Sequence, residues 1–228
     1  MANKRYDDKA RVLQYIADGQ HRDLIGGLWE HIGELQFDFM IKQGLKPDHK
    51  FIDIGCGCLR GGIHFIKYLI TGNYYGTDIH EELISTGIEK ELKPLGLDTK
   101  CILKNFSIDP DFNFSNFNVL FDYALALSVF THIPFRDVRL CLANLADSMK
   151  VGGKFYATFF ELPKDREKPF AFKRKDGLIT YDDMDPYHYY VSDMEKACMD
   201  LPWKFNYIGE FGHPRMQHMV LYERIPDN

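Results

Sequence analysis

Residues 51–62 read Phe-Ile-Asp-Ile-Gly-Cys-Gly-Cys-Leu-Arg-Gly-Gly, a short apolar run that contains an acid and breaks directly into a glycine-rich turn. This pattern predicts a buried β-strand that turns sharply into a helix. A second strand is predicted over residues 74–78, and it ends in another acid, Asp78. A strand, a glycine turn, a helix and a strand that ends in an acid is how a doubly wound sheet builds a nucleoside pocket.

The residues of the turn argue against a dinucleotide as the ligand. A dinucleotide fingerprint needs glycine at positions 55, 57 and 60, and position 60 is Arg60. The carboxylate of Asp53 would stand at the mouth of the turn and repel a pyrophosphate, but it suits a ligand with a positive end, such as S-adenosylmethionine (SAM). Two alternatives remain open: an NAD-dependent oxidoreductase, and glycines that merely serve a tight turn.

The order of Asp53, Gly55, Gly57 and Asp78 resembles the class I SAM-dependent methyltransferases, whose first motif reads acid-x-Gly-x-Gly and whose second strand ends in an acid. Many members of that family have a further glycine where this chain has Leu59. The resemblance implies SAM as cofactor and S-adenosylhomocysteine (SAH) as product. It implies contacts to the methionine end from Asp53, Gly55, Cys56 and Gly57, to the ribose from Asp78, to the adenine from Ile79, Asn105 and Phe106, and a further contact from Ser128.

Composition favours one soluble domain. The chain has 228 residues, 45% of them hydrophobic, and a formal net charge of −5, which predicts a single domain over residues 1–228 and no nucleic-acid partner. The N-terminus is charged, and no apolar run approaches the roughly 18 residues of a membrane span, so we expect a cytoplasmic protein without a membrane partner. The oligomeric state does not follow from these patterns.

The five cysteines predict neither disulfides nor a metal site. They are scattered through apolar segments, as expected of reduced thiols. Cys56 and Cys58 lie close together, but no second pair and no neighbouring histidine completes a tetrahedral zinc site.

Hydrophobic periodicity predicts an α/β fold. The fold class is a Rossmann-like doubly wound sheet, mostly parallel with an antiparallel last strand, because the link between the final two strands is too short for a parallel crossover. N-terminal helices occupy residues 1–47, and the core covers residues 48–224. The predicted strands are 50–54, 74–78, 100–106, 121–129, 154–160, 203–210 and 217–223, and the predicted helices are 12–16, 22–43, 63–70, 81–93, 134–149 and 194–199.

Three segments are expected to bind the methyl acceptor. Ligands of open α/β sheets sit beyond the carboxyl ends of the parallel strands, where the loop after the fourth strand, the 161–190 insertion and the final hairpin loop should meet. His132, in the first of these, is the candidate general base; the alternative is that it caps a helix or packs under the cofactor. The candidate acceptor-binding residues are Arg60, Tyr187, His188, His213 and Arg215.

The resemblance implies a SAM-dependent methyltransferase that acts on a small polar metabolite. We expect O-methylation of a sugar or of an acceptor with an oxyanion, since arginine suits phosphates and carboxylates. Cell-surface polysaccharide biosynthesis or secondary metabolism would supply such acceptors. The alternative is a SAM-binding or regulatory protein without catalysis.

Overall fold

The computed structural model describes residues 8–164 and 167–227. The first seven residues of the expected N-terminal helical region, two residues of the 161–190 insertion and Asn228 therefore lie outside the described part. The chain divides into two compact units, which we call the N-terminal unit (residues 8–110) and the C-terminal unit (residues 111–227). The single domain over 1–228 stays a prediction.

The N-terminal unit contains three parallel strands in the order β3-β2-β1. All four residues of β1 are buried, as expected for a strand that is covered on both faces. Its elements are α1 (Lys9–Ala17), α2 (His21–Leu24), α3 (Trp29–Lys42), β1 (Phe51–Ile54), α4 (Gly62–Tyr68), β2 (Tyr74–Asp78), α5 (Glu81–Thr86), a π-helix (Gly87–Leu92) and β3 (Phe106–Ile108).

The long helix predicted over residues 22–43 is divided into α2 and α3. Gly26, Gly27 and Leu28 have φ angles of 98°, 61° and 48°. These left-handed conformations cannot continue a right-handed helix. The apolar periodicity continues on both sides of the break, and for this reason the pattern alone predicted one helix.

The predicted third strand is wrong in its bounds. Residues 98–100 and 103–105 form 3₁₀ turns, and β3 begins only at Phe106, opposite Gly76 of β2. The apolar residues before it are not buried as a strand would require, since Leu103 is 70% exposed.

The C-terminal unit contains four strands in the order β4-β5-β9-β8. β4 and β5 are parallel, and β9 is antiparallel to both β5 and β8. Its elements are β4 (Phe121–Ala126), α6 (Phe135–Ala146), β5 (Met149–Phe159), β6 (Ala171–Lys173), β7 (Ile179–Tyr181), α7 (Val191–Lys196), β8 (Trp203–Glu210) and β9 (His218–Arg224).

The 161–190 insertion contains a two-stranded antiparallel sheet that the sequence reading missed. Lys173 of β6 pairs with Ile179 of β7, and the intervening turn includes Asp176 and Gly177. An Asp-Gly pair is a strong hairpin signal, but the flanking segments are too short and too polar to stand out as strands.

The predicted fold class is confirmed. The described residues form a seven-stranded, mostly parallel sheet with one antiparallel strand near its end, together with helices and the separate β6–β7 sheet. This is the Rossmann-like arrangement. No helix among the described residues has the length and apolar character needed to cross a membrane.

A buried ion pair attaches α2 to the rest of the N-terminal unit. Glu91, in the π-helix, is 5% exposed and accepts hydrogen bonds from His21 Nε2 at 2.7 Å and from Arg22 Nε and Nη2 at 2.8 and 2.7 Å. Burial alone would raise the pKa of Glu91, but the hydrogen bonds from Arg22 and His21 outweigh it and lower the pKa below its ordinary value. The carboxylate therefore stays charged and holds both donors.

We expect Glu91→Ala to lower the free energy of unfolding by about 2 kcal/mol, because it leaves Arg22 and His21 without their charged acceptor. Chemical denaturation measures this change. Glu89→Ala is the matched control: Glu89 pairs with Lys93 on the same helical segment, but both side chains are mostly exposed, so its loss should cost no more than about 0.5 kcal/mol. Equal effects of the two substitutions would contradict the prediction.

Candidate functional site

The turn after β1 is built on left-handed backbone conformations. Gly55, Gly57 and Leu59 have φ angles of 71°, 53° and 68°. The amides of Gly55 and Cys56 donate to the carbonyl oxygen of Thr77 at 2.8 and 2.9 Å, which fixes the turn against β2. A Cβ atom at Gly57 would stand 3.3 Å from the Ile25 side chain. Leu59 thus adopts a conformation that favours glycine, at the position where the related family often has one.

Asp78 joins the end of β2 to this turn. Its Oδ2 accepts a hydrogen bond from the Gly57 amide at 2.9 Å, and its Oδ1 accepts one from the His80 amide at 3.0 Å. Burial raises the pKa of Asp78, while these backbone donors oppose the rise. Each carboxylate oxygen can accept a further hydrogen bond, so Asp78 can bind the two hydroxyls of a ribose. Ile79 beside it is 41% exposed and offers an apolar surface.

Asp53 is a buried carboxyl group with an unusual proton affinity. It is 4% exposed, and its Oδ2 accepts a hydrogen bond from the Tyr74 hydroxyl at 2.9 Å. The pKa of Asp53 is raised to about 7, chiefly by burial. The Tyr74 hydrogen bond opposes this rise, the charge of Asp78 adds to it, and Arg60 opposes it. A positive ligand group nearby would favour the ionised form.

The predicted adenine contacts do not lie together. The side-chain amide of Asn105 donates to the carbonyl oxygens of Gly72 and Tyr74, at 3.1 and 3.2 Å, so it lies at the amino end of β2, opposite the end that carries Asp78. This placement follows from the wrong bounds of the third strand. Phe106 is the first residue of β3. The residue just past the carboxyl end of β3 is Asp109, and its amide donates to the Asp78 carbonyl oxygen at 3.1 Å.

Cys56 and Arg60 were predicted to contact ligands, and both side chains are buried. Burial raises the pKa of the Cys56 thiol well above its usual value, so it stays protonated. Arg60 is 8% exposed, and its Nη1 donates to the carbonyl oxygens of Ile25 and Gly27 at 3.2 and 2.9 Å. Arg60 therefore stabilises the loop between α2 and α3. The sequence predicted that Arg60 binds the acceptor, whereas its guanidinium is hydrogen-bonded within the protein.

In the C-terminal unit, His132 is paired with a carboxylate. Its Nδ1 lies 2.5 Å from Oδ1 of Asp185, and the two side chains are 23% and 5% exposed. A histidine whose Nδ1 faces a carboxylate keeps its proton there and presents Nε2 as the basic nitrogen. The sequence reading missed Asp185 as a functional residue, because its partner lies in a segment distant along the chain.

The loop that carries His132 begins at a strained residue. Ser128 has a φ of 61°. Its amide donates to Thr158 Oγ1 at 2.7 Å, and its hydroxyl lies 2.9 and 3.1 Å from the side-chain amide atoms of Gln217. Thr158 also donates to Gln217, at 2.6 Å. The predicted cofactor residue Ser128 is thus the centre of a mostly buried polar network, and Gln217 is a further site residue that was not predicted.

Tyr187 and His188, which were predicted to bind the acceptor, are buried side chains. They are 4% and 0% exposed. The amide of Tyr187 donates to the Thr131 carbonyl oxygen at 2.8 Å, and both ring nitrogens of His188 are hydrogen-bonded, one to Thr180 Oγ1 and the other to the Pro169 carbonyl oxygen. Burial lowers the pKa of His188, which keeps it neutral. Tyr187 thus supports the loop around His132, whereas the hydrogen bonds of His188 lie within the 161–190 insertion.

His213 and Arg215 lie in the loop between β8 and β9. His213 is 6% exposed, and its Nδ1 accepts a hydrogen bond from the Arg215 amide at 3.2 Å. Arg174, in the 161–190 insertion, donates to the carbonyl oxygens of Arg215 and Met216 at 2.8 and 3.0 Å. The insertion and the hairpin loop are therefore brought together, as expected, although by a buried arginine and not by ligand-facing side chains. The described residues contain no cluster of histidine, cysteine or acidic groups able to hold a metal ion.

Residues 52–155 match the family model of the methyltransferase domain. Among solved structures, magnesium protoporphyrin IX methyltransferase (ChlM) from Synechocystis PCC 6803 with bound SAH has 16% identity and a TM-score of 0.61, covering 96% of this chain and 100% of that one. The CcbJ methyltransferase from Streptomyces caelestis has 10% identity and a TM-score of 0.65, with coverage of 85% and 90%. An O-methyltransferase family protein from Burkholderia thailandensis has 12% identity and a TM-score of 0.65, with coverage of 98% and 69%.

At these identities the likeness to the solved structures shows the fold, which is that of the Rossmann-like methyltransferases. The methyltransferase-domain match covers the turn after β1, the acid at the end of β2 and the loop that carries His132. Residues 52–155 are thus identified as a methyltransferase domain. This match and the shared fold support the prediction of a class I SAM-dependent methyltransferase.

The pKa of Asp53 makes the stability of the ligand-free protein depend on pH. The folded state keeps a proton on Asp53 up to about pH 7, whereas the unfolded carboxyl group loses it near pH 4, so the contribution of Asp53 to stability falls between these values. Asp53→Asn cannot ionise, and its amide oxygen still accepts from Tyr74. We therefore expect the urea midpoint of the variant, relative to the parent, to rise between about pH 5 and pH 8.

Asp48→Asn is the control for this experiment, because Asp48 is exposed. Its midpoint relative to the parent should be the same at both pH values. A pH-independent difference for Asp53→Asn would show that Asp53 ionises normally in the folded protein.

Proposed function

We propose that this methyltransferase transfers a methyl group from SAM to a hydroxyl of a small polar acceptor. The observation that carries the proposal is the pairing of His132 with the buried Asp185 in the loop after β4. A hydroxyl must lose its proton as the methyl group is transferred, and a histidine oriented by a carboxylate is suited to accept it.

The residues of the N-terminal unit fit SAM. Asp78 offers two carboxylate oxygens for the ribose hydroxyls, and exposed Ile79 offers an apolar face for the adenine. Asp53 is the counter-ion for the positive methionine end, which Gly55, Cys56 and Gly57 would surround. Phe106 would lie beside the adenine, and Ser128 would stay a structural residue of the acceptor loop. When bound, SAM supplies an electrophilic methyl group on a sulfonium.

In this reaction the protein must align the acceptor hydroxyl with the methyl group and must accept one proton. The hydroxyl oxygen of the acceptor must lie in line with the methyl group, and holding the two in place supplies much of the rate. His132 Nε2 takes the hydroxyl proton as the new carbon–oxygen bond forms. Asp185 holds Nδ1–H and stabilises the imidazolium that results.

The polar contacts favour a neutral, sugar-like acceptor over one with an oxyanion. Arg60 and Arg174 already donate to backbone carbonyl oxygens. Arg215, beside His213 in the hairpin loop, stays the candidate for an acceptor that carries a phosphate or carboxylate. Hydroxylated acceptors occur in polysaccharide biosynthesis and in secondary metabolism, and the similar structures include an O-methyltransferase family protein. The formal net charge of −5 on this protein disfavours a nucleic-acid acceptor.

Asp78→Asn should weaken the binding of SAM and SAH about 10- to 100-fold, because it replaces a charged acceptor of the ribose hydroxyls with a neutral amide. Titration calorimetry measures both ligands, with NAD as a third. Asp98→Asn, in a 3₁₀ turn outside the site, should bind SAM as the parent does. Tight binding of NAD without binding of SAM would overturn the proposal.

His132→Ala should lower kcat by about 10²- to 10⁴-fold once an acceptor is found by screening hydroxylated metabolites for methylation by labelled SAM. Asp185→Asn should lower kcat roughly 10- to 100-fold. The affinity for SAH should not change in either variant.

The control for Asp185 is Asp183→Asn, because Asp183 is exposed and belongs to the same loop. Its turnover should match that of the parent. If His132→Ala turns over within a few-fold of the parent, His132 is not the base. A protein that binds SAM and methylates nothing in the screen would instead support a regulatory role.

A further inference from the structure

Three titratable side chains meet at the carboxyl end of β5, apart from the His132–Asp185 pair. Oε2 of Glu161 lies within hydrogen-bond distance of both the Tyr207 hydroxyl and Nδ1 of His218, and these two donors are 3.0 Å apart. Glu161 follows β5, Tyr207 belongs to β8 and His218 begins β9. We call these three residues the Glu161 cluster.

The Glu161 cluster leaves half of its carboxylate open. Both donors reach Oε2, whereas no hydrogen bond from the described residues reaches Oε1. Burial, followed by the hydrogen bond to Glu161, raises the pKa of Tyr207 well above its usual value, so the phenol stays protonated and donates. The two donors therefore orient the carboxylate and leave Oε1 able to accept a hydrogen bond from a ligand.

The charge around the Glu161 cluster is negative. Among the described residues, His218 is the sole ion-pair partner of Glu161, and no lysine or arginine pairs with it. The exposed carboxylate of Glu210 lies 4.0 Å from His218 Nε2 and adds to the negative charge. The side chains of Glu161 and His218 are 18% and 20% exposed, so a ligand can reach them while the surroundings are partly desolvated. A partly desolvated carboxylate attracts a cation more strongly than an exposed one.

Both flanks of the Glu161 cluster contact the loop that carries His132. Glu161 forms a β-bridge with Tyr189, whose hydroxyl donates to the Ile133 carbonyl oxygen at 2.6 Å. His218 follows Gln217, whose side chain is hydrogen-bonded to Ser128. Glu161 and His218 are therefore each joined to the proposed acceptor loop through one intervening residue.

We propose that the Glu161 carboxylate, oriented by Tyr207 and His218, binds a primary ammonium group of the methyl acceptor. This inference rests on the proposed function and narrows it to amino-bearing acceptors, such as amino sugars or aromatic amines that also carry a hydroxyl. The ammonium group donates to Oε1 and forms an ion pair with the carboxylate.

The test compares matched probes on the protein saturated with SAH. Binding of glucosamine against glucose, and of tyramine against 4-ethylphenol, is measured by saturation-transfer NMR. We expect the amine of at least one pair to bind about tenfold more tightly than its neutral partner, as a charge-assisted hydrogen bond would give. Glu161→Gln should remove this preference, and Glu210→Gln, which removes a neighbouring charge outside the hydrogen bonds, should retain most of it.

Two further measurements keep the test decisive. His218→Gln removes one of the two donors that orient the carboxylate, so it should reduce the preference for the amine without abolishing it. An unchanged preference in this variant would contradict the proposal even if Glu161→Gln fails to fold. Calorimetry with SAH should give parental affinity for each folded variant, and this separates a failure of the amine subsite from a failure of the proposed methyltransferase function. Equal binding within both probe pairs, no binding of either amine, or an amine preference that survives in folded Glu161→Gln would overturn the proposal.

Discussion

The hydrogen bond from the Gly57 amide to the Asp78 carboxylate is the contact on which the geometry of the N-terminal unit's site depends. The turn after β1 passes through left-handed conformations at Gly55, Gly57 and Leu59, and such a backbone keeps its course only when its surroundings determine it. Asp78, at the end of the neighbouring strand β2, holds the turn in place by accepting the hydrogen bond from the Gly57 amide. In the proposed function the same carboxylate accepts hydrogen bonds from the ribose hydroxyls, so one partly buried side chain would both shape the turn and present the ligand contact.

The C-terminal unit uses the same physical solution with neutral groups. Ser128 occupies a left-handed conformation that costs a non-glycine residue about 1–3 kcal/mol. Thr158 and Gln217, from β5 and from the hairpin loop, satisfy its amide and hydroxyl and offset that strain. A satisfied buried network of this kind makes a loop rigid. The loop that carries His132 therefore begins at a fixed turn. The pairing of His132 with Asp185 is a second constraint on the orientation of the imidazole ring.

The sequence could predict the parts of the site that are local. The motif at residues 53–57 and the acid Asp78 lie at the ends of short buried strands, where spacing alone specifies a strand, a turn and a side chain at the edge of a sheet. It could not predict the bounds of β3, because the apolar residues within 100–106 do not reveal that Leu103 faces solvent. The β6–β7 sheet was missed for a related reason: its strands are held mainly by their pairing with each other and carry little hydrophobic pattern.

Contacts between segments distant along the chain were beyond the sequence, and they change the view of the acceptor. Arg60 was predicted to bind the acceptor, but Arg60 and the insertion residue Arg174 are both buried and donate to backbone carbonyl oxygens. An arginine committed in this way cannot turn to a phosphate without leaving those carbonyl oxygens unsatisfied, at a cost of about 1–3 kcal/mol each. Glu161 shows the opposite pattern, since no hydrogen bond from the described residues reaches its Oε1. Two arginines that already donate to backbone carbonyl oxygens, and a carboxylate oxygen that can accept a hydrogen bond, fit the proposed acceptor that donates hydrogen bonds better than one that carries negative charge.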